Sequence, residues 1–307
     1  MRFVFFGTDA FSYTAMSSYR AIIDSDLVQP AENTEIYYEL KPDLDTLFLG
    51  KKFITNSRGL ADDEYSLVKP EDVYRVVVAG SSWTMATSVE IDDTYHSILE
   101  RQLSEQLSPR KAEFINFGVE NYGLSEIVAN VRYKALDYDP DMVMVAMTGL
   151  TPAFKWEEGK APFETANRVP PFWQSYLYSS AMDLLDRRAY RRTKRPRVSG
   201  SRGDYMRQVN RAMDELLEMT ADKNIEVVVL VLTHKGYKPE AVDAIGRYIE
   251  ERKFRFIHAH VEDIAKEYGK ENEPLLPDNY VNHPNETGHW LIAQKVFSEL
   301  WGSPAKD

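Results

Sequence analysis

Five short apolar runs, spaced widely along the chain, constrain the fold more than any other feature of the sequence. They occupy residues 74–79, 113–117, 141–147, 225–232 and 254–258. Nearly continuous apolar runs of this length are typical of strands that are buried on both faces of a parallel sheet. We therefore predict five strands in one such sheet.

Helical patterns fill the intervals between these runs. In the window 93–107, apolar or aromatic side chains recur at helical spacing, and the windows 124–136, 205–219, 241–252 and 287–300 behave in the same way. Strand and helix therefore alternate, which predicts an α/β fold with a doubly wound sheet and helices on both faces. In such folds the functional residues collect at the carboxyl ends of the strands.

Two segments interrupt this alternation. Residues 1–72 are predicted to be an amino-terminal extension packed on the main domain, which spans 73–303. Residues 152–204 form a lid-like insertion after the third strand, and they include Trp156 and Trp173. Both tryptophans are candidates for sugar stacking, and an alternative is that they belong to the core.

The insertion ends in a strongly basic stretch. Between Arg187 and Arg202, eight of sixteen residues are Arg or Lys and none is acidic, whereas the whole chain carries a net charge of −11. This stretch is either a solvated linker or a contact for an anionic glycan or membrane surface. The acidic balance of the chain argues against nucleic acid as a partner.

Composition also limits the chemistry. The chain has no cysteine, so a cysteine nucleophile, a thiolate metal site and a disulfide are all excluded. It shows no phosphate-binding or dinucleotide-binding glycine motif, so we expect no cofactor. No run approaches the 18 apolar residues of a membrane span, and the compartment, cytoplasm or cell envelope, stays open.

Three loops carry the candidate chemistry. The first strand is followed by Gly80-Ser81-Ser82, a strand-to-helix turn that can present the Ser82 hydroxyl at the edge of the sheet. A loop rich in Gly and Asn, residues 116–123, follows the second strand and can aim backbone N–H groups at an oxyanion. The last helix is preceded by Asp278 and His283, which supply a carboxylate and a base for a serine nucleophile.

The other histidines have less specific interpretations. His234, His258 and His260 follow or lie on the fourth and fifth predicted strands, but no carboxylate–histidine ligand pattern accompanies them, so we expect no metal site. We interpret His289 as a residue on a helix face or one that supports the site. His96 is predicted to lie on the surface of its helix.

Taken in order, these blocks resemble the SGNH, or GDSL-like, hydrolase family over residues 36–303. Gly80-Ser81-Ser82 stands where that family has Gly-Asp-Ser, and Asn116-Phe117-Gly118 resembles its second block. His283-Pro284-Asn285 is similar to its last block, and Asn56-Ser57-Arg58-Gly59 resembles the lead-in of members with amino-terminal extensions. The resemblance implies a flavodoxin-like sheet, a Ser82–His283–Asp278 triad, and an oxyanion hole formed by the N–H groups of Ser82 and Asn121.

Several positions depart from the family pattern. Leu150 occupies the place of the side-chain amide donor of the oxyanion hole, and the loss of one such donor typically costs about 2.7–4 kcal/mol. Thr148, Thr151 or the amide of Asn121 could take over that contact. The family's acid commonly lies three residues before the histidine, where this chain has Tyr280, whereas Asp278 lies five residues before it.

The resemblance implies a serine esterase that removes an O-acyl group, often acetyl, from a glycan or a small molecule. Two alternatives stay open at this point. The same serine could transfer the acyl group to a sugar hydroxyl, which would make the protein a polysaccharide O-acyltransferase. The departures at Leu150 and Tyr280 motivate the other alternative, a protein without catalytic activity that binds a glycan or a partner through the cleft.

Overall fold

A computed structural model of the protein describes residues 27–36, 38–48, 51–86, 89–148, 202–276 and 283–302, with the backbone alone for 202–205. Two short antiparallel strand pairs come first: β1 (Val28–Pro30) with β2 (Tyr38–Leu40), and β3 (Asp45–Phe48) with β4 (Lys51–Ile54). The main sheet follows, with strands β5 (Val73–Gly80), β6 (Lys111–Gly118), β7 (Met142–Thr148), β8 (Glu226–Thr233) and β9 (Arg255–His260).

Helices connect and cover these strands. They are α1 (Ser82–Met85), α2 (Tyr95–Leu107), α3 (Leu124–Tyr133), α4 (Arg202–Thr220), α5 (Pro239–Glu250), α6 (Val261–Glu267) and α7 (Glu286–Trp301), with short 3-10 turns at Ile91–Asp93 and Ala135–Tyr138. Every predicted strand is found within two residues of its expected bounds, and every predicted helix within three. The α/β prediction is therefore confirmed.

All five strands of the main sheet are parallel, in the order β6-β5-β7-β8-β9. The chain leaves β5 for β6 on one side and then crosses over to β7 on the other. In doubly wound sheets this reversal opens a crevice at the carboxyl ends of the two diverging strands. The flavodoxin-like order thus directs attention to the ends of β5 and β7.

Alternate residues of each strand face opposite helical layers. In β5, Val77 and Ala79 pack in the layer that contains α3, α4 and α5, whereas Val76 and Val78 pack with α2, α6 and α7. Because both faces are covered, the strands can be apolar along almost their whole length, which explains the continuous runs in the sequence.

The segment before β5 covers the outer edge of β6. The buried carboxylate of Asp62 accepts a hydrogen bond of 2.7 Å from the Asn116 N–H, and Glu100 from α2 accepts one of 2.7 Å from the Phe114 N–H. These two carboxylates occupy donors that an edge strand would otherwise leave unpaired. Burial raises the pKa of Asp62 well above its ordinary value.

The proposed division of the chain stays a prediction. β5 begins directly after residue 72, and the described part of the extension also reaches the loop after β6, where the Tyr38 hydroxyl donates to the Glu120 carbonyl. The insertion 152–204, with its basic stretch, lies outside the described residues except for 202–204, which begin α4. Among the described helices, none is long and apolar enough to cross a membrane.

Candidate active site

Ser82 stands at the carboxyl end of β5 as the first residue of α1. The Ser81 carbonyl accepts hydrogen bonds of 2.9 Å from the N–H groups of Thr84 and Met85, so the chain turns sharply from strand into helix. The Ser81 side chain is buried and lies 3.0 Å from the Thr148 hydroxyl at the end of β7. Ser82 itself is half-buried.

Two glycines allow the strand ends to approach α1 closely. A Cβ atom on Gly118, the last residue of β6, would lie 2.3 Å from the Met85 nitrogen and 2.6 Å from the Thr84 carbonyl carbon. A Cβ atom on Gly80 would lie 2.0 Å from the Thr84 hydroxyl. No side chain fits at either position, so the backbone after β6 lies directly against α1.

The loop after β6 follows from this close approach. The Val119 N–H donates to the Gly80 carbonyl at 3.2 Å, and the Glu120 N–H lies 3.1 Å from the Met85 sulfur. Asn121 then adopts a left-handed conformation with φ of 61°, which Asn tolerates better than most residues. Asn121 thus sits on a turn that runs beside the helix carrying Ser82.

His283 precedes α7, whose first turn is firmly anchored. The Asn285 side chain accepts a hydrogen bond of 2.9 Å from the Gly288 N–H and donates one of 2.7 Å to the Pro274 carbonyl. Within the described residues, no hydrogen bond joins the Ser82 hydroxyl to the His283 imidazole. Such bonds are often long in an empty site and shorten when substrate binds.

A chain of buried contacts connects α1 with α7. The Thr84 hydroxyl lies 2.9 Å from the Tyr95 hydroxyl, and the Tyr95 backbone N–H donates to Nδ1 of His289 at 3.2 Å. The rings of Tyr95 and His289 also stack, with centroids 5.9 Å apart and planes 9° from parallel. We call this chain the Thr84–Tyr95–His289 bridge. It fixes the helix that follows His283 relative to the helix that begins with Ser82.

Two fully buried histidines of this region, His96 and His289, have strongly lowered pKa values. Burial lowers the pKa of His96 to about 3, and burial together with the nearby charges of His96 and His283 lowers the pKa of His289 to about 3. The prediction that His96 lies on the helix surface is wrong. Its ring is fully buried beside Tyr95, with Nε2 3.2 Å from the Thr94 hydroxyl.

A second group of rings lies at the carboxyl ends of β8 and β9. His234 stacks on Trp83 with ring centroids 5.9 Å apart, and Tyr237 packs against both His258 and His260. In the part of the chain that the structure describes, no three His, Asp or Glu side chains are arranged to hold a metal ion. The sequence showed these histidines but gave no sign that Tyr237 would join them.

Several predicted site residues lie outside the described residues. They are Asp278, Leu150, Tyr280, Trp156 and Trp173. Among the described candidates, the structure places Ser82, Asn121 and Thr148 around the ends of β5, β6 and β7. His283 belongs to the segment that leads into α7, and the bridge connects that helix to α1.

Comparisons with known proteins support the fold. No family model and no curated protein sequence matches the chain. Among solved structures, a two-domain esterase active on acetylated mannans, co-crystallised with mannopentaose, is 13% identical over 76% of this chain, with a TM-score of 0.50. The match covers 52% of that esterase, so the chain corresponds to about half of it.

Two other solved structures are similar at lower TM-scores. A variant of an acetyl xylan esterase from Geobacillus stearothermophilus is 12% identical over 76% of this chain and 97% of its own, with a TM-score of 0.47. A putative lipolytic protein of the G-D-S-L family from Desulfitobacterium hafniense is 13% identical over 74% of this chain and 99% of its own, with a TM-score of 0.44. At these identities, similarity establishes the fold alone.

Proposed function

We propose that the protein is a serine ester hydrolase of the SGNH, or GDSL-like, type that removes O-acetyl groups from a glycan. One observation carries this proposal. Ser82 begins a helix at the carboxyl end of β5, beside the point where the sheet reverses direction, and Gly118 brings the loop that contains Asn121 directly against that helix. A nucleophile and an N–H-bearing turn therefore lie beside each other at one edge of the sheet.

The mechanism follows the logic of a catalytic triad. The Ser82 hydroxyl attacks the ester carbonyl, and His283 takes its proton and delivers it to the leaving sugar oxygen as the ester bond breaks. Water then attacks the acyl-enzyme with His283 as the base, the bond between Ser82 and the acetyl group breaks, acetate leaves, and His283 returns the proton to the Ser82 oxygen. The backbone N–H groups of Ser82 and Asn121 stabilise the oxyanion in both steps, which is the role that usually contributes most to such reactions.

Asp278 is the proposed carboxylate partner of His283. It would orient the imidazole and stabilise the imidazolium that forms during proton transfer. If Asp278 has this role, Asp278→Asn lowers kcat strongly, whereas Tyr280→Phe does not. Equal activity of Asp278→Asn and the wild type would leave a Ser82–His283 dyad.

The choice of a carbohydrate ester rests on the solved esterase with the same fold. That protein is active on acetylated mannans and was crystallised with mannopentaose. Acetylated mannan and xylan oligosaccharides are therefore the substrates to test first, together with a small aryl acetate that needs no glycan contacts.

The test compares acetate release by the wild type, Ser82→Ala and the neighbouring-serine control Ser81→Ala. We expect Ser82→Ala to lose roughly four orders of magnitude or more in kcat, because an isolated triad serine contributes on that scale. Ser81→Ala should keep most of the activity, since the Ser81 side chain is buried and takes no part in the proposed steps. Transfer of acetyl to a sugar acceptor faster than to water would instead identify an acyltransferase.

A wild type that releases no acetate from any of these substrates would contradict the proposal. In that case the protein would be a binding protein with the fold of an esterase. Equal residual activity in Ser82→Ala and the wild type would exclude Ser82 as the nucleophile.

A further inference from the structure

The turn after β8 presents two ring side chains at the same sheet edge as Ser82. His234 directly follows β8, and Tyr237 lies three residues later, with its N–H donating to the His234 carbonyl at 3.3 Å. Gly236 makes this turn possible with φ of 97°. Both rings are partly exposed. The proposed catalytic steps use neither of them.

The Tyr237 ring packs against two imidazole rings of β9. Its centroid lies 4.6 Å from that of His260 and 5.2 Å from that of His258. The two imidazoles are held differently. Nε2 of His258 lies 2.8 Å from the Thr233 hydroxyl, within hydrogen-bond distance. Nδ1 of His260 lies 3.0 Å from the Asp263 carboxylate, but neither ring nitrogen of His260 makes a hydrogen bond among the described residues. A ring that is already fixed loses little conformational entropy when a ligand packs on it.

His234 connects this surface to the nucleophile. Its ring stacks on the buried indole of Trp83, at 30° between the ring planes, and Trp83 is the residue after Ser82. From β5 to β9 there are three strand spacings, which corresponds to about 14–15 Å along the sheet edge. The ring side chains at these strand ends are therefore spread over more than the length of one pyranose ring, and the first of them follows Ser82 directly.

The chemistry of this surface fits a saccharide better than an acyl chain. Flat rings offer faces for the C–H side of a pyranose, while their N–H and O–H groups lie at the rim. The Glu262 and Asp263 carboxylates lie 3.4 Å and 3.0 Å from the ring nitrogens of His260, and Glu262 also accepts a hydrogen bond of 2.9 Å from the Lys235 backbone N–H. Sugar hydroxyls can bind to such carboxylates, whereas an acyl chain offers them no partner. Burial, and then the nearby charge of His260, lowers the pKa of His258.

We infer that the carboxyl ends of β8 and β9 form a saccharide-binding subsite, in which His234 and Tyr237 contact the oligosaccharide that carries the ester. Trp83, His258 and His260 act as positioning residues beneath these two rings. This inference deepens the proposed function and rests on it for the identity of the reaction, although binding to the subsite can be measured without turnover.

The experiment uses the full chain and two classes of substrate. Tyr237→Ala and His234→Ala are compared with the wild type on an acetylated mannan oligosaccharide and on 4-nitrophenyl acetate. We expect KM for the oligosaccharide to rise roughly tenfold in each variant, as for a central aromatic contact, and to rise by a clearly larger factor than KM for the aryl ester, which carries no saccharide. Tyr237→Phe keeps the ring and should retain most of the oligosaccharide affinity.

Tyr268→Ala is the matched control. Tyr268 is an exposed tyrosine whose ring packs edge-on against Trp290 on α7. We expect this variant to match the wild type on both substrates. If Tyr237→Ala lowers kcat/KM by the same factor for both substrates, or lowers it for neither, the subsite inference is wrong.

Titration with mannopentaose and xylopentaose separates this inference from the proposed function. Binding that weakens roughly tenfold in Tyr237→Ala, with both proteins folded by circular dichroism, supports the subsite even if no ester is cleaved. If the wild type cleaves aryl acetate but binds neither pentaose, or binds them equally well in Tyr237→Ala, the subsite is wrong and the esterase proposal stands.

Discussion

The two ends of the sheet edge are built in opposite ways. At the ends of β5 and β6, neither Gly80 nor Gly118 has room for a Cβ atom, and the Thr84–Tyr95–His289 bridge is buried. At the ends of β8 and β9, Gly236 faces open space and the rings of His234 and Tyr237 are partly exposed. The first region, at the ends of β5 and β6, holds α1 at a fixed distance from the loop after β6. The second region, at the ends of β8 and β9, leaves two ring side chains accessible to a ligand.

This difference matches two separate requirements of the proposed reaction. Bond formation needs reacting groups held within a fraction of an ångström, because small misplacements cost large factors in rate. Recognition of a long, polar ligand needs flat and accessible contacts, of which a few carry most of the binding energy. Substitutions in the first region should therefore have larger effects than those in the second, and we expect them to lower the free energy of unfolding and kcat.

The largest effect is expected for Gly118→Ala. The new methyl group would meet backbone atoms of α1 at 2.3 Å and 2.6 Å, which neither strand nor helix can relieve without moving. We expect a loss of more than about 3 kcal/mol in the free energy of unfolding, as in severe overpacking, or no folded protein. Urea denaturation measures this loss.

Gly236→Ala is the control at the other end of the edge. Its methyl group would meet no atom within 4 Å, so only the left-handed backbone, with φ of 97°, opposes it. That conformation costs an L-residue roughly 1–2 kcal/mol. An equal loss in both variants would contradict the contrast between the two regions.

Acid should destabilise the first region through its buried histidines. His96 and His289 have pKa values of about 3 in the folded protein, below the ordinary value of 6.5. Between these two pH values the unfolded chain therefore binds more protons than the folded chain. The stability is present above pH 6.5 and is lost as the pH falls toward 3. We expect each histidine to account for roughly 2 kcal/mol of the loss between pH 7 and pH 5.

The measurement is the free energy of unfolding at both pH values for the wild type, His96→Gln and His289→Gln. Each variant should lose less stability than the wild type over this range. The partly exposed His234 provides the comparison, and His234→Gln should follow the wild type. If the slope is the same in all four proteins, the buried histidines are not the cause of the acid sensitivity.

A smaller effect is expected from loosening the Thr84–Tyr95–His289 bridge. Tyr95→Phe removes only the hydroxyl that contacts Thr84, which should cost about 1 kcal/mol of stability. Because the bridge positions α7 relative to α1, we expect kcat to fall several-fold while KM stays unchanged. Thr84→Val should act similarly, and the double variant should be little worse than either single one.

Additive losses from the two substitutions would show that the hydroxyls do not act as a pair. A fall in stability with no change in kcat would leave the bridge as a structural contact without a positioning role.

The strands and the loops at their ends were predictable from local sequence. A strand that is buried on both faces needs apolar side chains at nearly every position, so it is recognisable as a continuous apolar run. Ser82 and Asn121 could be placed for the same reason, since each follows a recognisable strand. Distant contacts were not predictable. Tyr95 and His289 are 194 residues apart, and nothing in either segment specifies that they meet.

The error at His96 has a physical cause. Hydrophobic periodicity assigns a polar residue to the solvent side of a helix, but α2 is packed between β6 and α7, and its buried face extends to His96. The imidazole is tolerated there because it is neutral and lies within reach of the Thr94 hydroxyl. Tyr237 was missed for a similar reason, since its partners come from another strand.

Ser82 is proposed to be a nucleophile that the arrangement at the end of β5 activates. The decisive experiment is reaction of the folded protein with a fluorophosphonate, followed by digestion and mass spectrometry of the peptides. We expect one covalent adduct, located on Ser82, that is absent from Ser82→Ala and strongly reduced in His283→Ala. An unlabelled wild type, or an adduct at another residue, would show that Ser82 is not this nucleophile.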